Sequence, residues 1–183
     1  MKVKEVVYLA AAELGILDEV KKFVENGTAA GKENAEKLLS SFQMVENELA
    51  VDYFPLRAEQ KVETENGMIT YIQLPNNVLR VLYVENESGE RIHFRLFVDH
   101  LATEKGKVTV GYTYTPKDKS FNDNSDFRLQ VTARLMACGI VAAYMLNAGR
   151  FEEWKIWDKK YKNAIIAAYQ LPKSEYWQAR RWE

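Results

Sequence analysis

The sequence is poor in the residues that cross-link small domains or bind metals. It has one cysteine, Cys138, among 183 residues, so an intramolecular disulfide and a four-cysteine zinc site are both impossible. A single cysteine also fits synthesis in a reducing compartment. Only two histidines are present, His93 and His100, and no spacing of carboxylates around them is typical of a metal site.

The sequence also lacks an excess of charge and a long hydrophobic run. Lys and Arg total 25 and Asp and Glu total 26, and this net charge of -1 argues against a nucleic-acid coat and against an acidic disordered tail. The longest apolar run, 135–146, is shorter than the roughly 20 residues of a membrane span, so it predicts a buried helix. Glu5 and Glu13 interrupt the N-terminal apolar stretch, so no signal peptide is expected there.

Helical patterns occupy both ends of the chain. Hydrophobic residues make up 47% of the sequence, which is enough for a sizeable core at this length. Apolar spacing predicts helices over 3–14, 18–25, 31–50, 126–147 and 151–169. In the third of these helices, Glu46 is one of the charged residues that we expect to be exposed to water. Asn124, Ser125 or Asp126 is predicted to cap the fourth helix.

Strand patterns fill the middle of the chain, after Phe54-Pro55 breaks the third helix. The predicted strands are 60–63, 68–74, 78–85, 91–98 and 107–115. Asn66-Gly67 is a strong two-residue turn signal and predicts that the first two strands form a hairpin. No connection is long enough for a parallel crossover, so the predicted sheet is an antiparallel meander.

Helices, then strands, then helices predict an α+β fold. The simplest assembly is a helical bundle built from both ends of the chain, with an inserted antiparallel β-sheet. The predicted units are a bundle of residues 1–51 and 117–172, a β insertion of 52–116 and a C-terminal tail of 173–183.

Catalytic signatures are missing from the sequence. It contains no GxSxG, P-loop, GxGxxG or HExxH pattern. Cys138 lies inside an apolar run and is expected to be inert. Asp99 and His100 are not expected to form a dyad, because adjacent strand residues point in opposite directions. We therefore expect no enzyme, no catalytic residue, no cofactor and no metal.

An alternative remains open, namely a small intracellular enzyme or ligand-binding protein with a site between sheet and bundle. It needs a deep pocket with a perturbed titratable group. Its candidate groups are Asp52, Glu59, His93 and Asp99.

Aromatic residues are concentrated near the C-terminus. Trp154, Trp157 and Tyr161 follow helical spacing, so core packing is expected for them. The tail beyond Pro172 is different, because it mixes aromatic and arginine side chains of the types that dominate interface hot spots. It packs back on its own domain or docks on another chain. The tail residues concerned are Tyr176, Trp177, Arg180, Arg181 and Trp182.

Charge is divided unevenly along the chain. Residues 1–126 hold 15 basic and 21 acidic side chains, whereas residues 127–183 hold 10 and 5. One interpretation is chance on a solvated surface. The other is a molecule with two oppositely charged faces, which suits head-to-tail association in a closed ring.

The layout resembles the head–tail connector (adaptor) proteins of tailed bacteriophages, including the gatekeeper or tail tubular A type. The stretches most like the family are LPNNVLRVLYV at 74–84 and VGYTYTP at 110–116. Further similar segments are VVYLAAAELGILDEV, VENELAVDYFPLR, RIHFRLFVDHLAT and DFRLQVTARLMACGIVAAYML. These are patterns of apolar spacing and turns, not catalytic signatures.

The resemblance implies a structural role in the neck of a virion, for a protein made in the host bacterial cytoplasm. Such proteins form a ring, commonly of twelve subunits, beneath the portal protein. They extend the DNA channel without sequence-specific DNA binding and carry the next tail or stopper protein. By position, the five tail residues would dock on the portal, and no membrane is involved. The alternative within the same class is another phage protein, such as a tail-completion or stopper protein.

Overall fold

The computed structural model describes residues 1–170 and confirms an α+β fold with helices at both ends. The helices are α1 (Val3–Glu13), α2 (Leu17–Asn26), α3 (Lys32–Glu48), α4 (Ala133–Asn147) and α5 (Phe151–Gln170). The strands are β1 (Leu56–Thr64), β2 (Met68–Thr70), β3 (Asn77–Glu85), β4 (Arg95–Leu96), β5 (His100–Ala102) and β6 (Gly106–Thr115). A π-helical turn, Leu49–Tyr53, extends α3.

The helices from the two chain ends form one bundle around α4. This helix is the most apolar of the five, and it packs against α1, α3 and α5. Gly139 of α4 permits a close approach of α3 and α5, because a Cβ there would lie 2.8 Å from the Tyr161 ring and 2.9 Å from a Val45 methyl group. No described helix combines the length and the apolar character that crossing a bilayer requires.

Helix α4 begins later than the sequence predicts. Thr132 caps it, with Oγ1 accepting a hydrogen bond from the Leu135 N–H at 3.2 Å, so the predicted cap at 124–126 is wrong. The preceding segment is held instead by the start of the chain. The Val3 N–H donates to the Asp123 carbonyl at 3.0 Å, and the Ser125 N–H donates to the Met1 carbonyl at 2.9 Å.

The strands form two three-stranded antiparallel sheets, ordered β1-β6-β3 and β2-β5-β4. The predicted hairpin and meander are therefore wrong. β1 pairs along its whole length with β6, and β2 pairs with β5. The chain does turn at Gly67 (φ 76°), but the Gly67 carbonyl accepts from the Thr103 N–H at 2.8 Å, which directs β2 to the second sheet.

The predicted strand over 91–98 is mostly wrong, because only the two residues of β4 form a strand within it. Directly after β4, the Phe97 N–H donates to the His100 carbonyl at 2.9 Å, and this turn starts β5. The expected apolar face is broken as a result, since Leu96 is 54% exposed and Val98 is fully exposed.

Buried residues fall into two clusters. One fills the helical bundle, and the other lies with the strands. The second cluster comprises Ile69, Leu74, Val81, Val84, Leu101, Val108, Val110 and Tyr112. Two cores fit a sheet inserted into a bundle, while the exact unit boundaries stay a prediction.

Candidate functional site

The candidate site begins where the described structure ends. The five tail residues predicted to contact a partner, Tyr176, Trp177, Arg180, Arg181 and Trp182, lie outside residues 1–170. What the structure describes is the end of α5, from which the chain continues into that tail.

The end of α5 is fixed at the seam between bundle and sheet. The Tyr169 ring stacks on Phe54, with centroids 4.8 Å apart and an interplanar angle of 24°. Its hydroxyl donates to the Tyr53 carbonyl. Both partners lie where the π-helical turn leads into β1, and both belong to the helical core, so the last turn of α5 is held on the bundle beside the start of the sheet. We call this contact the seam stack.

An open cavity of about 810 Å³ lies beside the seam stack. Its walls come from the start of β1, the end of β6 and the segment that precedes α4. They carry charges of both signs, including Arg57, Arg128 and Asp126. The tail therefore starts next to a cavity with mixed polar and apolar walls.

A second groove runs along the other side of α5, between α1 and α4. It has a volume of about 750 Å³, and its walls are largely apolar, with Leu9, Cys138 and Trp157 among them. The Lys160 ammonium lies 3.8 Å from the centre of the Trp157 ring. Burial raises the pKa of the Cys138 thiol.

The α5 aromatics occupy the positions expected from helical spacing. Tyr161 is 4% exposed, and Trp154 and Trp157 pack partly buried against the helical core. Burial, followed by the nearby negative charge of Glu48, raises the pKa of the Tyr161 hydroxyl. These three residues therefore hold α5 on the bundle.

Glu46 contradicts the expectation that it would stay in water. Its side chain is 1% exposed. It accepts hydrogen bonds from the Ser125 Oγ at 2.6 Å and from the Asp126 N–H at 3.0 Å. Burial raises its pKa, although those two hydrogen bonds oppose the shift. Glu46 thus fastens the segment before α4 onto α3.

The four groups proposed for an enzymatic or ligand-binding site are all exposed. They lie on the π-helical turn, on β1 and around the second sheet, so they do not converge in one enclosed pocket. Within residues 1–170, no cluster of three or more His, Cys, Asp or Glu side chains is arranged to hold a metal ion. The groups are Asp52, Glu59, His93 and Asp99.

Asp99 and His100 do form a contact, so the expectation that they point apart is wrong. His100 Nδ1 lies 2.7 Å from Asp99 Oδ1, and this hydrogen bond lowers the pKa of the Asp99 carboxyl. Strand alternation does not apply, because Asp99 precedes β5 in a turn. The Phe97 ring stacks on His100 at 4.6 Å. The pair lies at an exposed turn rather than in a cleft.

Two features of the site were missed from the sequence. The seam stack needs the end of α5 to meet the turn after α3, and Phe54-Pro55 by itself signals only a helix break. The other feature is the alternation of charge along β1, at Arg57, Glu59, Lys61 and Glu63. That pattern is visible in the sequence, but its meaning depends on which edge of the sheet β1 occupies.

The chain matches no protein-family model and no curated protein. The resemblance to phage connectors therefore rests on the layout and the quoted segments.

Proposed function

We propose that this chain is a structural virion protein, a head–tail connector that assembles as a ring beneath a phage portal. The observation that carries the proposal is the division of the molecule. Helices from both chain ends share one core, while the intervening strands have a second core of their own. This is the layout that the connector resemblance implies, with the bundle forming the ring and the sheet projecting from it.

The distribution of charge supports head-to-tail contacts between subunits. Helices α1 to α3 hold nine acidic and five basic side chains, whereas α4 and α5 hold three acidic and five basic ones. In a ring, such surfaces of neighbouring copies attract and set their orientation. The exposed groups include Asp18, Glu19 and Glu25 on α2, and Lys159 and Lys160 on α5, where Lys155 and Lys162 instead pair with Glu152 and Asp158 of the same helix.

The position of the tail supports portal docking. The described structure ends one residue after the seam stack at Tyr169, so the segment that leads into the tail is held on the bundle beside the start of β1. Aromatic and arginine side chains give large contact areas and strong hydrogen bonds, which is why they dominate interface hot spots. A docked tail would connect each subunit of the ring directly to the portal.

Deleting residues 174–183 tests this role. We expect the shortened chain to keep its unfolding temperature, because both described cores lie within residues 1–170, and to lose attachment to the portal protein. The measurements are thermal unfolding and co-sedimentation with assembled portal. A second variant, Tyr176, Trp177 and Trp182 all changed to Ala, is expected to behave like the deletion.

The matched control changes Lys173 and Glu175 to Ala and should still co-sediment. Undiminished portal attachment by the deletion variant would contradict portal docking through the tail. A large drop in unfolding temperature would show instead that the tail belongs to the core.

A further inference from the structure

Strand β1 forms an open edge of its sheet. It is nine residues long and pairs with β6 without a bulge, from Leu56 opposite Tyr114 to Thr64 opposite Gly106. Within residues 1–170, no strand pairs with its other side. A regular, unpaired edge presents a row of backbone donors and acceptors that can pair with another strand.

The two faces of β1 differ sharply. Even-numbered side chains point toward the β core, and Ala58 and Val62 pack against it. The odd-numbered side chains Arg57, Glu59, Lys61 and Glu63 are exposed and alternate in sign along one face.

This alternation is self-complementary about Gln60. If β1 lies antiparallel to a second β1 with Gln60 opposite Gln60, then Arg57 faces Glu63 and Glu59 faces Lys61. Each pair occurs twice by symmetry, so four opposite-charge pairs form on the exposed face. On the other face, Ala58 meets Val62, which extends the apolar layer.

Neighbouring registers lose this match. A shift by two positions in one direction puts Arg57 opposite Lys61 and Glu59 opposite itself. The same shift in the other direction puts Glu59 opposite Glu63 and Lys61 opposite itself. A shift by one position sets the exposed face against the half-buried face. The charge pattern thus selects one register.

The opposite edge of the sheet is less suited to pairing. Strand β3 has register shifts between Val78 and Arg80 and between Val81 and Tyr83. Irregularities of this kind twist an edge and disrupt its row of backbone groups. Of the two edges, β1 is the regular one.

We propose that two copies of this chain pair through β1, antiparallel and centred on Gln60, into a twofold dimer with a continuous six-stranded sheet. Backbone hydrogen bonds and the extended apolar layer hold the dimer. The exposed charges select its register, because like charges placed directly opposite each other destabilise a strand pair. The inference goes beyond the proposed connector role and stands on the sheet edge alone. It holds whether or not the chain forms a ring at a portal.

Charge reversal at the outer pair tests the proposed register, with the mass of the full chain followed against concentration by light scattering. Arg57→Glu alone and Glu63→Arg alone each create two like-charge oppositions, and we expect dimerisation to weaken by about tenfold or more. The double variant Arg57→Glu with Glu63→Arg restores complementarity, and we expect its dimer affinity to return. Glu104→Arg is the matched control, because Glu104 is exposed outside β1.

Cross-linking gives a second, independent measurement in a Cys138→Ser background. Gln60→Cys places the two thiols opposite each other at about 4.5–5.5 Å between Cα atoms, within disulfide range, so mild oxidation should trap the dimer. Ala58→Cys is the same-face control. Its two copies would lie about 13 Å apart along the strands, so it should stay uncross-linked.

The proposal is overturned if the full chain stays monomeric at all concentrations. It is equally overturned if the double variant dimerises no better than the single variants, or if Ala58→Cys cross-links as readily as Gln60→Cys. None of these measurements uses a portal protein, so their outcome is separate from that of the connector proposal.

Discussion

At the scale of single residues, Glu46 shows how a carboxylate comes to be buried in a helical core. The Ser125 hydroxyl and the Asp126 N–H both donate to its Oε1. A buried donor without an acceptor destabilises the folded state, and Glu46 supplies the acceptor for both donors. The burial of its own carboxylate opposes this gain, because the charge loses its hydration. The sequence shows Glu46 as one polar residue among several on α3, because its partners lie almost eighty positions later in the chain.

Two substitutions at Glu46 separate these effects. Glu46→Ala leaves both donors without their acceptor and should lower the free energy of unfolding by about 1–3 kcal/mol. Glu46→Gln keeps an acceptor oxygen but cannot ionise. Burial raises the Glu46 pKa above its ordinary 4.5, so the folded state keeps the proton over a range where the unfolded chain has released it. The free energy of unfolding therefore falls as pH rises through that range in the wild type.

Denaturant unfolding between pH 4.5 and 7 measures the difference. We expect the Glu46→Gln variant to gain stability relative to the wild type as pH rises above 4.5. The comparison isolates position 46, because every other ionisable group is shared. A constant difference across this range would contradict the described burial of the carboxylate.

At the scale of elements, local signals predicted the helices better than the strands. Helices α1 and α2 end where Gly15 and Gly27 adopt left-handed angles (φ 73° and 68°), as their positions after apolar patterns suggest. The sequence predicts the start of α4 too early, because long-range contacts hold the segment before Thr132. The Ser125 N–H donates to the Met1 carbonyl, the Asp126 N–H donates to Glu46, and Phe127 and Val131 are buried in the helical core. These partners lie far away in the sequence.

Strand pairing could not be predicted from local signals either, because the paired strands lie far apart in the sequence. The turn at Asn66-Gly67 forms, but β1 finds its partner in β6, and no short-range signal identifies that partner. The candidate site shares this limit. Composition predicts the tail as a binding segment, and that stays a prediction, whereas the seam stack of Tyr169 on Phe54 depends on α5 meeting the turn after α3.

The capping of α4 gives a prediction at this scale. Thr132→Ala removes the side-chain acceptor for the Leu135 N–H and should lower the free energy of unfolding by about 0.5–2 kcal/mol. The matched control is Asn124→Ala, at an exposed position that is one of the three predicted caps. Urea unfolding of both variants makes the comparison. Equal effects at the two positions would contradict the observed start of α4.

At the scale of the whole molecule, the net charge of -1 is the sum of unlike parts. The part of the chain before residue 127 is acidic, the part after it is basic, and both contribute helices to the same bundle. Acidic and basic parts of one bundle, and a sheet with one regular edge left open within residues 1–170, offer two separate ways of contacting other copies. The proposed ring uses the bundle, and the proposed dimer uses β1.

The central claim is that this chain builds a ring on a portal, and imaging the two proteins together by electron microscopy tests it most directly. We predict a ring of several copies stacked coaxially on the portal, lost when residues 174–183 are removed. A monomer or dimer in the absence of portal is compatible with this result. A full-length chain that never binds the portal would contradict the claim.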